Sequence, residues 1–259
     1  ASSSRPSSCF GSSAARSSMP VAPPRLVIER LRADDDEGNE AVRELSVSVR
    51  PGEIVGIAGV SGNGQGELVQ VLAGQRKKRA GSVTIDGVAY DGSRNAIRAG
   101  RVSVLPEVPL DSACVPMMSV SENLALRDFD LPPIRRGGAF VSTRAIGRKA
   151  QRLIARFAVK TASPDSAMRT LSGGNVQRAV LARELSEPSN VLVAANPCFG
   201  LDFSASAEIR AQIVDARNGG AAVLLISEDL DELRELSDRL CVMFGGAIVF
   251  ETTPGACDT

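Results

Sequence analysis

Gly59-Val60-Ser61-Gly62-Asn63-Gly64-Gln65-Gly66 is the stretch whose reading decides the fold. Upstream lies a continuous apolar run, Ile54-Val55-Gly56-Ile57-Ala58, which reads as a buried strand. Downstream, Glu67-Leu68-Val69-Gln70-Val71-Leu72 carries a helical pattern. A strand, a glycine-rich turn and a helix start together form a phosphate cradle: the glycines let backbone N–H groups converge, and the helix dipole favours an anion there. In the P-loop pattern G-x-x-x-x-G-K-[ST], Lys reaches the β/γ-phosphates and the hydroxyl binds Mg²⁺. Here Gln65 stands at the Lys position and Gly66 at the Ser/Thr position. The frame of the cradle is present, without its charge or its metal ligand.

The chain has 259 residues, enough for one large domain or a domain with an inserted subdomain. Its 30 basic and 30 acidic residues cancel, which gives no support for non-specific nucleic-acid binding. No run of about 18 apolar residues occurs, so a membrane role would require a membrane-embedded partner. The five cysteines (Cys9, Cys114, Cys198, Cys241, Cys257) are scattered without C-x-x-C spacing and read as reduced thiols of a cytosolic protein. Histidine is absent, which excludes His-dependent acid–base chemistry, Ser-His-Asp triads and His-ligated zinc.

Residues 1–24 are rich in Ser, Ala, Pro and Arg and contain no acid. They read as a disordered tail or linker, with an organelle transit segment as the other reading. From Arg25 the pattern is that of a folded domain running to residue 259. Leu26-Val27-Ile28 and Leu45-Ser46-Val47-Ser48-Val49 read as strands, as do Ser82-Val83-Thr84-Ile85 and Arg101–Leu105. Pro106-Glu107 sits at the end of the last, where loops of an α/β sheet meet ligands. The region of about 111–170 reads as helical, with a capping box at Ser119 and Glu122 and an apolar stripe of Ile146, Ala150, Leu153, Ile154 and Phe157. Beside that stripe Arg144, Arg148, Arg152 and Arg156 recur every fourth residue, a pattern of a solvated basic face or of a contact with lipid phosphates or an acidic partner. Two further apolar runs, Val191–Ala195 and Ala222–Ile226, suit central strands of a parallel sheet covered on both faces. A helix over Ser204–Arg217 makes them a β-α-β unit, and Gly245-Gly246 joins a terminal hairpin.

Leu171-Ser172-Gly173-Gly174-Asn175 resembles the LSGGQ signature, Asn196–Asp202 resembles the end of a Walker B strand plus a D-loop with Asp202 retained, and Ser227-Glu228-Asp229-Leu230 falls where a switch-histidine motif ends its strand. With the P-loop frame, in this order, they make the chain similar to the ATP-binding-cassette (ABC) ATPases of membrane transporters, from about Leu26 to Val249. The phrasing is closest to the second, degenerate cassettes of simple-sugar and nucleoside importers. The resemblance implies an α/β core with a mixed central sheet, an antiparallel β subdomain and an inserted helical subdomain. It implies ATP as the nucleotide, a second cassette and transmembrane permease subunits as partners, and a place in the cytoplasm on the inner face of the membrane. Pro106 and Glu107 fall near the Q-loop, where such cassettes meet the membrane subunit.

The same resemblance assigns roles that these residues do not fill. The Mg²⁺ carboxylate aligns with Ala195, the catalytic Glu with Asn196 and the switch His with Glu228, whose charge opposes a γ-phosphate. No Phe, Tyr or Trp lies between Phe10 and Tyr90 to stack on adenine. A site without phosphate Lys, Mg²⁺ contacts or base is expected to hydrolyse little, since removing one preorganised group costs on the order of 10²–10³ in rate. The cradle Gly59–Gly66 keeps backbone donors with which to bind a nucleotide without turnover. In the family each ATP lies between the P-loop of one cassette and the LSGG of the other. Ser172, Gly173 and Gly174 are equipped for that second role, with Mg²⁺ only at the partner's site. A non-hydrolysing regulatory or interaction module of the same fold is the alternative. A dinucleotide-binding oxidoreductase rests on Gly59, Gly62 and Gly64 alone; it needs an acidic residue about 20 positions on that ends a second parallel strand, and residues 76–86 instead read as a basic turn and an alternating strand.

Overall fold

Three apolar runs, Ile54–Ala58, Val191–Ala195 and Ala222–Ser227, lie side by side as parallel strands in which every residue is buried. Continuous apolar sequence fits this place because both faces of the sheet are covered. The structure, a computed structural model, describes residues 22–137 and 140–256. Most of the tail over 1–24, with Cys9 and Cys257, lies outside the described residues.

In chain order the elements begin with β1 (Leu26–Asp34), β2 (Glu40–Val49), β3 (Ile54–Ala58), α1 (Gln65–Leu72), β4 (Ala80–Ile85), β5 (Val88–Ala89), α2 (Arg94–Ala99) and β6 (Val102–Leu105). The middle supplies α3 (Pro109–Ser112), α4 (Val120–Ala125), β7 (Arg135–Arg136), β8 (Phe140–Val141) and α5 (Thr143–Arg156). The last third holds α6 (Gly173–Glu184), β9 (Val191–Ala195), α7 (Phe203–Asn218), β10 (Ala222–Ser227), α8 (Leu230–Leu236), β11 (Arg239–Phe244) and β12 (Ala247–Thr252).

The central sheet has the order β12-β11-β3-β10-β9-β6, parallel except for β12, which pairs antiparallel with β11. A second, antiparallel sheet, β2-β1-β4-β5, turns the apolar positions of β1 and β2 into the same core as Val55, Ile57, Val193 and Leu224. The other face of the central sheet packs on α6, α7 and the middle helices. This is the mixed α/β architecture expected. The capping box closes as the sequence suggests: Ser119 Oγ accepts the Glu122 N–H at 3.2 Å, and the Glu122 carboxylate accepts the Ser119 N–H at 2.8 Å. Helix α5 buries Ala145, Ile146, Ala150 and Leu153 and leaves Arg144, Arg148, Arg152 and Arg156 exposed.

Some elements differ from the sequence reading. Helix α2 went unread because it buries none of its residues and so has no amphipathic period. The ribbon β7–β8 interrupts the helical middle; its strands are two exposed residues each, too short to show alternation. The helix after Leu171 starts within the signature itself, at Gly173, with Ser172 as its N-cap residue.

Register fixes where function gathers. Ser227 pairs with Ala58, Ile226 with Ala195, Leu105 with Ala194 and Val242 with Ala58, so the parallel strands end nearly level. The loops that follow them, starting at Gly59, Asn196, Glu228 and Pro106, therefore open on one edge of the sheet, the edge where ligands meet open α/β sheets.

Candidate functional site

The Gly59–Gly66 loop is built by glycine geometry. Gly64 has φ +98°, and a Cβ there would lie 2.3 Å from the Ala41 carbonyl oxygen, so strand β2 closes against the loop only because the side chain is missing. Asn63 ties the loop to the β11–β12 turn: its Oδ1 accepts the Gly245 N–H at 2.8 Å, and its carbonyl accepts the Gly246 N–H at 3.1 Å. Its Nδ2 donates to the Val60 carbonyl at 2.8 Å. Gln65 folds back into the loop, where its Oε1 accepts the Asn63 N–H and its Nε2 donates to the Val60 carbonyl, both at 3.1 Å. The carboxamide thus uses one of the backbone donors that a phosphate would need.

Across the edge, Ser61 Oγ donates to the carboxylate of Glu228. Asn196 stands in the left-handed region (φ +41°), which Asn tolerates better than most side chains. Its Oδ1 accepts the Glu228 N–H at 2.9 Å, and its own N–H donates to the Ile226 carbonyl at 2.7 Å. Gly59–Gly66, Asn196 and Glu228 are brought together, and the group they form is closed on itself and carries an acid beside the loop.

The fit to a magnesium nucleotide fails on donor chemistry. Gly66 has no hydroxyl, buried Ala195 no carboxylate and Gln65 no charge. Among the described residues no group of three or more Cys, Asp and Glu side chains gathers to hold a metal ion. A Cβ at Gly66 would meet nothing within 4 Å, so the missing hydroxyl is a matter of sequence, not of space.

The signature lies elsewhere. Ser172, Gly173, Asn175, Arg178 and Asp202 line a separate cleft of about 490 Å³ together with Lys160. The Asp202 side chain accepts the Ala205 N–H at 2.8 Å and caps α7, so its carboxylate also has a local structural use. Ser172 is the N-cap residue of α6, yet its hydroxyl accepts no helix N–H. The first N–H groups of α6, on Gly173 and Gly174, consequently have no protein acceptor among the described residues. A 12-residue helix with free donors and a positive dipole end favours an anion. No hydrogen bond joins Gly59–Gly66 to Leu171–Asn175 within the chain among the described residues.

The sequence did not reveal two links. Gln177 on buried α6 donates to the Pro197 carbonyl at 3.1 Å and connects the signature helix to the Asn196 turn. Arg178 pairs with Glu208 of α7 at 3.0 Å. Their spacing after Leu171–Asn175 reads only as helix interior, and the partners come from a distant segment. Pro106 lines another cavity of about 440 Å³ with Arg98, Arg127 and Arg183, while Glu107 is exposed next to it. Burial, with the Glu232 carboxylate nearby, pushes the Cys198 thiol up to about 12, and its Sγ lies 3.7 Å from the Ser206 carbonyl, which fits a packing residue.

A glycine loop after a central strand, a Ser-Gly-Gly helix start beside the Asp202 loop and the two-sheet core together define an ATP-binding cassette. Residues 42–198 match the family model described as ABC transporter, and the chain belongs to that family. It is 41% identical over 244 residues to a glucose import ATP-binding protein, TsgD13, of Haloferax volcanii, a match covering 92% of this chain and 44% of that protein. It is 36% identical over 230 residues to the guanosine import ATP-binding protein NupO of Bacillus subtilis, covering 88% of this chain and 45% of that protein. The chain thus spans less than half the length of these relatives. Among solved structures, a dimeric ATP-binding cassette in a post-hydrolysis state bound to ADP and Pi superposes with a TM-score of 0.73 at 19% identity, covering 88% of this chain and 98% of that one. A nucleotide-free ATP-binding cassette from an ABC transporter superposes at 0.72 and 22% identity, covering 89% and 92%. At these identities the likeness concerns the fold alone.

Proposed function

We propose that this chain is one cassette of an importer for a small solute of the sugar or nucleoside class, and that it supplies its signature to a nucleotide held by another cassette. In this reading its own P-loop is catalytically impaired, and Mg²⁺ belongs to the partner's site. The partner cassette and transmembrane permease subunits complete the assembly on the inner face of the membrane. Among the described residues no helix is long and apolar enough to cross a membrane. The names of the import relatives support the solute class.

One observation carries the reading: the Gly59–Gly66 half-site lacks its cation and metal ligands and has an acid beside it, whereas the signature keeps its hydroxyl and glycines. At Gly59–Gly66 the Gln65 carboxamide consumes the Asn63 N–H, and Glu228 adds a negative charge. At the signature, Ser172, Gly173 and Gly174 line a cleft, and the Gly173 and Gly174 N–H groups have no protein acceptor among the described residues. When bound, ATP would supply the phosphoanhydride that drives transport; this chain's residues contribute donors and dipole that bind and orient its terminal phosphate.

Reconstitution of the complete transporter tests this. Ser172→Arg, which fills the cleft, should lower ATPase activity by at least about 10²-fold, whereas Gln65→Ala should leave it within about twofold. Loss of activity in Gln65→Ala with normal activity in Ser172→Arg would overturn the assignment.

A further inference from the structure

The position after Ser-Gly-Gly holds an asparagine whose two ends have different partners. Asn175 Oδ1 accepts the backbone N–H of Lys160 at 2.7 Å, and Asn175 Nδ2 donates to Ser172 Oγ at 2.8 Å. The orientation of the amide is not arbitrary. A backbone N–H can only donate, so the oxygen must face Lys160 and the NH₂ must face Ser172. Ser172 Oγ is therefore an acceptor in this pair, and its own proton is left over. The hydroxyl makes no helix-capping bond, and it stands exposed in the cleft with Gly173 and Lys160.

We propose that Asn175 is a positioning residue: by donating to Ser172 Oγ it obliges the Ser172 hydroxyl to present its proton to an incoming anion. This rests on the signature-supplying role proposed above and adds the device that sets the hydroxyl's polarity. The Lys160 backbone, just beyond the end of α5, fixes that polarity, so the helical segment and the signature are linked through one amide. A glutamine one methylene longer, as in the signature consensus, would not have to make the same pair of bonds.

The test compares Asn175→Asp with Asn175→Ala in the complex of the full chain with its partner cassette and permease. The readouts are the affinity for a non-hydrolysable ATP analogue and kcat/KM for ATP. Aspartate is isosteric and still accepts the Lys160 N–H, but its other oxygen accepts the Ser172 proton and turns it away from the ligand. Asn175→Asp should weaken analogue binding by about tenfold or more, and Asn175→Ala, which leaves the hydroxyl free to rotate, by about threefold or less. A role as a mere brace predicts the reverse order, because only alanine removes the bond to Lys160. To separate proton direction from added charge, both changes are repeated in Ser172→Ala. Expected there is little further loss from Asn175→Asp; an equal loss in both backgrounds means charge alone and overturns the proposal. If Asn175→Ala costs as much as Asn175→Asp, the proposal is likewise wrong. Ser172→Arg in the same assay separates the two levels. If that change has no effect, the signature role itself fails; if it abolishes activity while Asn175→Asp is silent, only the positioning role fails.

Discussion

The Gly59–Gly66 edge and the Ser172 cleft are both helix N-termini framed by glycine, yet the side chains around them differ. In the first, Gln65 accepts the Asn63 N–H, Asn63 holds the β11–β12 turn and Ser61 donates to Glu228, while the N–H groups of Gly62, Gly64, Gln65 and Gly66 have no protein acceptor among the described residues. In the second, the Ser172 hydroxyl accepts from Asn175, and the helix N–H groups of Gly173 and Gly174 have no protein partner among the described residues. Gly173 is exposed and Gly174 half-buried, so these donors are open to solvent or to a ligand. The comparison teaches that glycine geometry alone does not define a site: the charged and metal-binding side chains around it matter as much.

The difference should be broken first by backbone substitution. Gly64→Val imposes both a positive φ and a clash with the Ala41 carbonyl, and should destabilise the chain by about 3 kcal/mol or more in denaturant titration. Gly173→Ala, where a Cβ meets nothing within 4 Å, should cost less than about 1 kcal/mol. Equal losses would mean that the first loop is no more a structural element than the second.

Restoring chemistry to the closed edge sharpens the contrast. Gln65→Lys combined with Gly66→Thr and Ala195→Asp adds a cation and two metal ligands; the Gly66 position has open space. Calorimetric titration with ATP and Mg²⁺ should show affinity at least about tenfold tighter than that of the unaltered chain. No gain would indicate that Glu228 or the closed loop, and not the missing groups, excludes phosphate.

A smaller effect is expected from Asn63→Ala. It removes the side-chain bonds to Gly245 and Val60 at 2.8 Å each, and should cost about 1–2 kcal/mol by thermal denaturation with the fold intact. The smallest concerns the thiols. Burial pushes Cys198 up to about 12 and Cys114 up to about 11, from the ordinary thiol value. The folded state therefore keeps protons that the unfolded chain loses first. These two groups leave stability unchanged below the ordinary thiol pKa, and stability falls as pH rises from there through about 11 and 12. Alkylation by iodoacetamide at pH 8 should be much slower in the native chain than in denaturant; equal rates would remove the packing role of Cys198.

Much of the fold was legible because its core strands announce themselves. Val191–Ala195 and Ala222–Ser227 are unbroken apolar runs, and such runs have few places to go other than the middle of a covered sheet. Helix α2 and the ribbon β7–β8 left no such trace, since they bury little or nothing of their own. At the candidate site, the absent groups were readable and the compensating bonds were not. Ser61 and Glu228 are 167 residues apart, and no local pattern predicts that one donates to the other.

By itself the sequence determined which atoms exist. No histidine, no lysine at Gln65, no hydroxyl at Gly66 and no carboxylate at Ala195 are facts that folding does not repair, because folding moves groups but does not make them. Only the tertiary structure decided which of the remaining donors are already used. Level strand ends carried Gly59, Asn196 and Glu228 to one edge, where they closed on each other, while Lys160 beyond α5 met Asn175 and left the Ser172 proton free. Hydrogen-bond satisfaction depends on distance and direction between distant segments, and those are properties of packing.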